Sequence, residues 1–321
     1  MAPPMFRLAH LSDPHLGPLP EVRLRQLASK RVIGYVNWQR NRAVHLGNSA
    51  LDALMADIDL AAPDHLAVTG DLVNLALPAE LTAAATWLGA IGTARDVTVV
   101  PGNHDAYVPG AARRAARLWA PYMTGDDTAP AADEPPPPEA TYGEETMGVR
   151  FPFVRRRGRI ALVGTSTARA SAPFMATGHF GTSQSLLLAE ALERLRHEGC
   201  FRVVLIHHPP VRGSTPWYKR LIGGTRFRSA IQAAGAELVL HGHNHRAGIR
   251  MISGHGAPVP VVGVPSASAQ PDGRHEGARY NLFEIGGEPG AWHCRMEERG
   301  LTPESPRAVT TIASRLLHGQ G

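Results

Sequence analysis

Two cysteines, Cys200 and Cys294, are all that this 321-residue chain contains. That is too few for a disulfide framework, so reduced thiols at core positions are expected. Long apolar runs are missing too, since none approaches the roughly 20 residues of a membrane-spanning helix. The opening Met1–Met5 lacks the basic and apolar regions of a signal peptide, and the sequence reads as cytoplasmic. Thr124–Thr146 lacks Lys and Arg altogether and carries seven acidic residues, Asp126, Asp127, Asp133, Glu134, Glu139, Glu144 and Glu145. With its Pro135–Pro138 run, this stretch reads as an extended loop without a core of its own, either a surface insertion or a lid overhanging a site. The formal net charge is +5, which leaves +12 on the rest of the chain. A basic body favours an anionic partner: a phosphorylated metabolite, an anionic membrane surface or nucleic acid. Nucleic acid is the least supported of these, because no separate nucleic-acid-binding module is present and positive charge alone is unspecific.

A hydrophobic share of 43% with 19% charged residues is ordinary for a globular chain long enough to bury a sizeable core. The pattern predicts strands at Phe6–Leu11, His65–Thr69 and Val97–Val100, with helices at Asn48–Ala61 and Ala79–Ile91 between them. Strand–helix alternation points to parallel βαβ units. Further strands are expected at Val149–Val154 and Arg159–Gly164, joined by an arginine turn, and at Arg202–His207 and Leu238–His241. A helix over Thr182–Glu198 precedes the third of these, and a basic loop, Trp217–Arg228, leads through a short helix into the fourth. Short strands from Gly248 to Glu298 suggest an antiparallel meander. Residues 1–300 thus read as a single domain, with 301–321 as a peripheral tail holding at most one short helix. Glu21–His45 interleaves Arg and Lys with Leu, Val, Tyr35 and Trp38, and its first half reads as a basic amphipathic helix. It either packs on the body or forms a substrate-side or membrane-surface flap.

Five of the expected strands end in side chains that can bind metal or move protons. They deliver Asp13-Pro-His15, Gly70-Asp71, Gly102-Asn103-His104-Asp105, His207-His208-Pro209 and His241-Gly-His243-Asn-His245. Each motif alone is weak, because an Asp-x-His loop is often only a turn and alternating histidines can be the polar face of a strand. Their coincidence at strand ends carries the reading, since ligands of open α/β sheets sit there. Histidine, carboxylate and amide oxygen without cysteine suit Mn, Fe, Zn or Co better than Mg or Ca. The donors exceed the needs of one ion, and two ions about 4 Å apart bridged by one carboxylate would use them all.

In order and in residue type these blocks resemble the five signature blocks of the calcineurin-like metallophosphoesterases, from Asp13 to His245. The resemblance implies a four-layer αββα sandwich, two mixed β-sheets flanked by helices. It implies one metal held by Asp13, His15, Asp71 and His245, and a second held by Asp71, Asn103, His207 and His243, with Asp71 bridging. His207 is chosen over His208 from the usual position of this ligand in the family. A shared water acidified by both ions would attack phosphorus, and His104 would protonate the leaving oxygen. Asp105 is expected either to orient His104 or to close the turn.

The core blocks do not report the substrate. His207-His208-Pro209-Pro210-Val211 with Gly242-His243-Asn-His245 looks most like bacterial cyclic-nucleotide and glycerophosphodiester phosphodiesterases, so a small phosphodiester is expected. The alternative is a UDP-2,3-diacylglucosamine pyrophosphatase, suggested by the basic Glu21–His45 segment and by Lys219, Arg220, Arg226 and Arg228, which suit an anionic lipid. The acidic, proline-rich Thr124–Thr146 speaks against it, since an acyl-chain cap should be apolar. A nuclease comes third. A non-catalytic scaffold on the same fold is the reading from another class, and it is opposed by the completeness of the ligand set.

Overall fold

The computed structural model describes residues 5–20, 30–38, 48–126, 149–271 and 276–319. Strand β1 (Phe6–Leu11) and helix α1 (Arg31–Asn37) are followed by α2 (Asn48–Ala61), β2 (His65–Val68), α3 (Pro78–Ile91), β3 (Val97–Val99) and α4 (Ala111–Trp119). The chain continues through β4 (Phe153–Arg157), β5 (Ile160–Gly164), β6 (Gly178–His179), α5 (Thr182–His197), β7 (Phe201–Leu205), β8 (Leu221–Ile222) and α6 (Gly224–Ala234). It ends with β9 (Leu238–His241), β10 (Gly248–Ile252), β11 (Val259–Gly263), β12 (Arg279–Glu288), β13 (Ala291–Gly300) and β14 (Thr310–His318).

Two mixed six-stranded sheets result, ordered β14-β13-β12-β1-β2-β3 and β10-β11-β9-β7-β5-β4, and β6 pairs with β8 in a small third sheet. In the first, β1, β2 and β3 run parallel; in the second, β5, β7, β9 and β11 do. The period-two alternation of strands sorts their side chains. Leu162, Val203, Leu205, Leu238 and Leu240 join Leu8, Leu66 and Val97 in the core between the sheets. The intervening Ala161, Val163, Val204 and Val239 face the other way and pack with Leu188, Leu192 and Leu195 of α5 and Phe227 and Ile231 of α6. Leu51, Leu54 and Ile58 of α2 and Leu81, Ala84 and Leu88 of α3 recur at helical spacing and are buried in the main core. The two large sheets flanked by helices are the architecture expected from the resemblance.

The structure differs from the sequence expectation in four places. Residues 155–157, expected as a turn, belong to β4, and the turn falls at Gly158–Arg159. Arg155 is tolerated there, at 3% exposure, because its guanidinium donates to the carbonyls of Thr124, Val97, Ala94 and Pro121. The expected meander is divided: β10 and β11 extend the second sheet, with β11 parallel to β9, while β12 and β13 return to the first. The tail is not helical, because Thr310–His318 forms the edge strand β14 against β13. Arg226 and Arg228 lie on α6 rather than in a loop.

Of Glu21–His45, residues 30–38 are described, and they pack on the body. Arg31 donates to the carbonyls of Leu75 and Ala76 at 2.9 and 2.6 Å. Gly34 comes so close to Leu75 and the Tyr107 hydroxyl that a Cβ would overlap both. Residues 21–29 of the expected helix, and the acidic run from 127 to 146, lie outside the described residues. Among the described residues, no helix is long and apolar enough to cross a membrane. Cys200 and Cys294 are buried free thiols.

Candidate metal centre

Every candidate residue lies just past the carboxyl end of a strand. Asp13 and His15 follow β1, Asp71 follows β2, Asn103, His104 and Asp105 follow β3, His207 follows β7, and His243 and His245 follow β9. Backbone hydrogen bonds lace these loops together. Asp13 and His15 donate to the carbonyls of Gly70 and Asp71 at 3.0 and 3.1 Å, and Gly242 donates to that of His207 at 3.2 Å. Across the sheets, the His243 N–H donates to Asp13 Oδ2 at 3.0 Å.

Asp13, His15, Asp71, His243 and His245 have φ between +42° and +69°. For non-glycine residues such conformations cost about 1–3 kcal/mol each and persist only where the surroundings over-determine them. Here the loop hydrogen bonds do so, and the outcome is that side chains from both sheets converge. Gly102 and Gly242 make the convergence possible, because a Cβ on Gly102 would fall on the Asp71 carboxylate and one on Gly242 on Ser12 and Asp13.

His245 Nε2 lies 3.1 Å from Asp13 Oδ1 and His15 Nε2 lies 3.9 Å from the same oxygen. His207 Nε2 lies 3.3 Å from both Asp71 Oδ2 and Asn103 Oδ1. Asp13, Asp71 and His207 have donor atoms within 4.8 Å of one another and so join the two halves; His243 groups with His207 in the same way. The structure therefore brings all seven candidate ligands together. The ring nitrogens facing away from the centre have partners of their own. His207 Nδ1 meets the Thr69 carbonyl at 2.6 Å, His15 Nδ1 that of Val73 at 3.2 Å, and His243 Nε2 that of Lys219 at 2.9 Å. Metal-binding histidines are held in this way, with one nitrogen tied to a carbonyl so that the other is the basic one. His208 belongs to the same cluster, but its nitrogens lie beside Thr167 Oγ1 at 2.7 Å and the Ala176 carbonyl at 3.2 Å, whereas His207 Nε2 faces Asp71, which favours His207 as the ligand.

The electrostatics call for positive charge. Burial pushes the Asp13 carboxyl up, but the charge and hydrogen bond of His245 outweigh it and hold the group well below the usual range. Asp71 is likewise held well below it, burial being overcome by the charges of His207 and His104. His207 rises to about 9, its burial outweighed by the Asp71 carboxylate. Two buried carboxylates kept ionised among neutral-capable nitrogen donors, with no thiolate, are a chemically fitting set for two cations.

Asp105 departs from the first of its two expected roles. Its oxygens accept the backbone N–H groups of Asp71, Leu72, Val73 and Gly102 at 2.8–3.3 Å, which closes the turn and does not touch His104. Burial and the nearby Asp71 charge push its carboxyl up to about 7, while the N–H groups from Gly102 and Val73 oppose that rise. His104 is oriented by the Asn74 carbonyl, 2.6 Å from its Nδ1, and stacks on Tyr107 with ring centroids 5.3 Å apart and planes 17° apart. Sequence reasoning missed Asn74 and Tyr107, and neither carries a signal. The support under Asn74 was legible: Glu80 accepts the N–H groups of Asn74 and Leu77, both at 2.9 Å, and a Glu two residues past Pro78 marks a helix start.

The chain belongs to the calcineurin-like phosphoesterase family, whose sequence profile matches residues 6–247. The family uses a dinuclear metal centre, and membership in it supports a metal-dependent hydrolase. Among solved structures, purple acid phosphatase PPD1 from yellow lupin seeds is similar over 98% of this chain and 54% of its own, at 11% identity and a TM-score of 0.56. A dimetal phosphatase from Danio rerio is similar over 97% and 99% of the two chains, at 13% identity and a TM-score of 0.49. Haemophilus influenzae NAD nucleotidase is similar over 97% of this chain and 50% of its own, at 13% identity and a TM-score of 0.46. The chain spans about half the length of the lupin and Haemophilus proteins. Comparison with curated protein sequences gives no match.

Proposed function

We propose that this protein hydrolyses small phosphodiesters at a dinuclear centre held by Asp13, His15, Asp71 and His245 on one side and Asp71, Asn103, His207 and His243 on the other. The observation that carries the reading is the donor cluster of Asp13, Asp71 and His207, which links the two groups through Asp71. When bound, Mn, Fe, Zn or Co ions would supply Lewis-acid charge to the phosphoryl oxygens and acidify the attacking water. His104 keeps one proton on Nδ1 against the Asn74 carbonyl, and its Nε2 gives the proton that the leaving alkoxide takes as the P–O ester bond breaks. Tyr107 and Asn74 fix the ring for that transfer, and Asp105 fixes the loops that carry Asp71 and His104. The cationic side chains whose charge reaches the ligands include Lys30, which acts on Asp71, and Lys219, which acts on His243. The choice of a diester over a monoester rests on His207-His208-Pro209-Pro210-Val211 and Gly242-His243-Asn-His245, which resemble the blocks of cyclic-nucleotide and glycerophosphodiester phosphodiesterases.

The packing of α1 on Leu75 and Tyr107 supports a soluble substrate over the lipid-nucleotide alternative. Contact of the remaining Glu21–His45 segment with an anionic membrane, and a cytoplasmic setting, stay as proposals. Hydrolysis of bis(p-nitrophenyl) phosphate and p-nitrophenyl phosphate by Mn-reconstituted protein tests the reading. Faster turnover of the diester supports it, and turnover of the monoester alone overturns it.

A further inference from the structure

Two loops on the second-sheet side of the centre present large rings to solvent. Phe174 is 78% exposed, Trp217 66% and Tyr218 38%. The loops are paired: Ala176 N–H donates to the Tyr218 carbonyl at 2.8 Å, Gly178 N–H to that of Arg220 at 3.2 Å, and β6 and β8 run parallel with Gly178 opposite Leu221. The two loops that carry Phe174 and Trp217 are thereby held side by side where they enter β6 and β8. Both loops are bolted to the site. His208 binds the Ala176 carbonyl, two residues from Phe174, and His243 binds the Lys219 carbonyl, next to Tyr218.

Phe174 is held with φ +63°, a costly conformation for a phenylalanine, and the ring it sets is not buried. Trp217 and Tyr218 stand edge to face, centroids 5.9 Å apart and planes at 85°, so they offer two differently oriented rings. The two loops themselves carry charge of one sign. No acidic residue occurs from 160 to 189 or from 199 to 236. The chain has only two lysines, and both serve this rim: Lys219 lies in the Trp217 loop, and Lys30 donates to the Met175 carbonyl at 2.7 Å. Solvent-exposed rings beside point cations at the edge of a phosphoester site match a ligand with a flat π-face joined to a phosphate.

We infer that Phe174, Trp217 and Tyr218, with Lys219, form a specificity rim that stacks the planar ring of a phosphoester substrate, making nucleoside phosphodiesters the favoured substrate class. This inference rests on the phosphodiesterase reading and deepens it.

The test compares adenosine 3′,5′-cyclic monophosphate with the same ribose cyclic phosphate lacking the base, so that the bond broken is identical. Stacking predicts a preference for the nucleotide in kcat/KM of about tenfold or more, carried by KM. Trp217→Ala and Phe174→Ala are each expected to cut that preference at least threefold. Equal wild-type kcat/KM for the two substrates would overturn the rim while leaving the phosphodiesterase reading standing. Binding of AMP and ribose 5-phosphate by calorimetry separates the other failure. If neither cyclic phosphate is hydrolysed but AMP binds tighter than ribose 5-phosphate and loses that advantage in Trp217→Ala, the rim stands and the reaction does not. If Trp217→Ala instead abolishes adsorption to phosphatidylglycerol vesicles and changes no ring preference, the rim is a membrane surface and the inference is wrong.

Discussion

The Oδ2 oxygen of Asp105 accepts the backbone N–H of Asp71 at 2.9 Å, and that of Gly102 at 2.8 Å. One side chain thereby joins the loop after β3 to the loop carrying the proposed bridging ligand. Asp105→Asn sets an amide N–H against backbone N–H donors, so the loops must part. Affinity for Mn, measured by chelator competition, is expected to fall about 10–100-fold. Unchanged affinity with lost turnover would return Asp105 to a direct role on His104.

His104 and Asp71 separate chemistry from binding. His104→Ala removes the proposed proton donor but none of the seven ligands, so turnover is expected to fall about 10²–10⁴-fold with metal content unchanged. Asp71→Ala removes the proposed bridge and the acceptor of the His104 N–H at 2.6 Å, and is expected to lose metal. Metal analysis of both variants beside their rates checks the assignment, and the opposite pattern would refute it.

Much of this site was legible because its residues sit where strand periodicity stops. The apolar runs of β1, β2, β3, β7 and β9 announce themselves, and Asp13, Asp71, Asn103, His207 and His243 follow directly. What was hidden depends on contacts between distant segments. Asn74 reaches His104 across 30 residues through a backbone carbonyl, which leaves no mark on residue type. Arg155 looked like part of an arginine turn because its burial depends on carbonyls from Ala94 to Thr124 that only the folded chain assembles. The tail looked peripheral because β14 alternates poorly: as an edge strand it is paired with β13 along one backbone edge and leaves much of its side-chain surface in solvent.

Gly102 tests the close approach in the site. A methyl group there would overlap the Asp71 carboxylate and press on its backbone nitrogen. Gly102→Ala is expected to lower the urea midpoint by an amount equivalent to about 1–3 kcal/mol and to abolish metal binding. A variant with native midpoint and metal content would show that the loop has room to yield.

His65 sets an acid limit on stability away from the centre. Burial, followed by the charges of Arg157 and Arg155, pushes its imidazole down to about 3, with Nε2 beside Thr98 Oγ1 at 2.7 Å. Below about pH 6.5 the unfolded chain takes up a proton that the folded chain refuses, so this contribution is complete above pH 6.5 and is lost as pH falls toward 3. The slope is about 1.4 kcal/mol per pH unit. Urea midpoints of metal-free protein at pH 7.5 and 5.0 are expected to fall at the lower pH, and to fall less in His65→Gln. Equal falls in both proteins would remove His65 as a cause.

The central claim is a two-ion centre that drives hydrolysis, and titration of metal-free protein with Mn tests it most directly, with bound metal and bis(p-nitrophenyl) phosphate hydrolysis measured at each point. Activity is expected to rise until two equivalents are bound per chain and then to level. Full activity at one equivalent, or turnover that persists in the chelated protein, would contradict that claim.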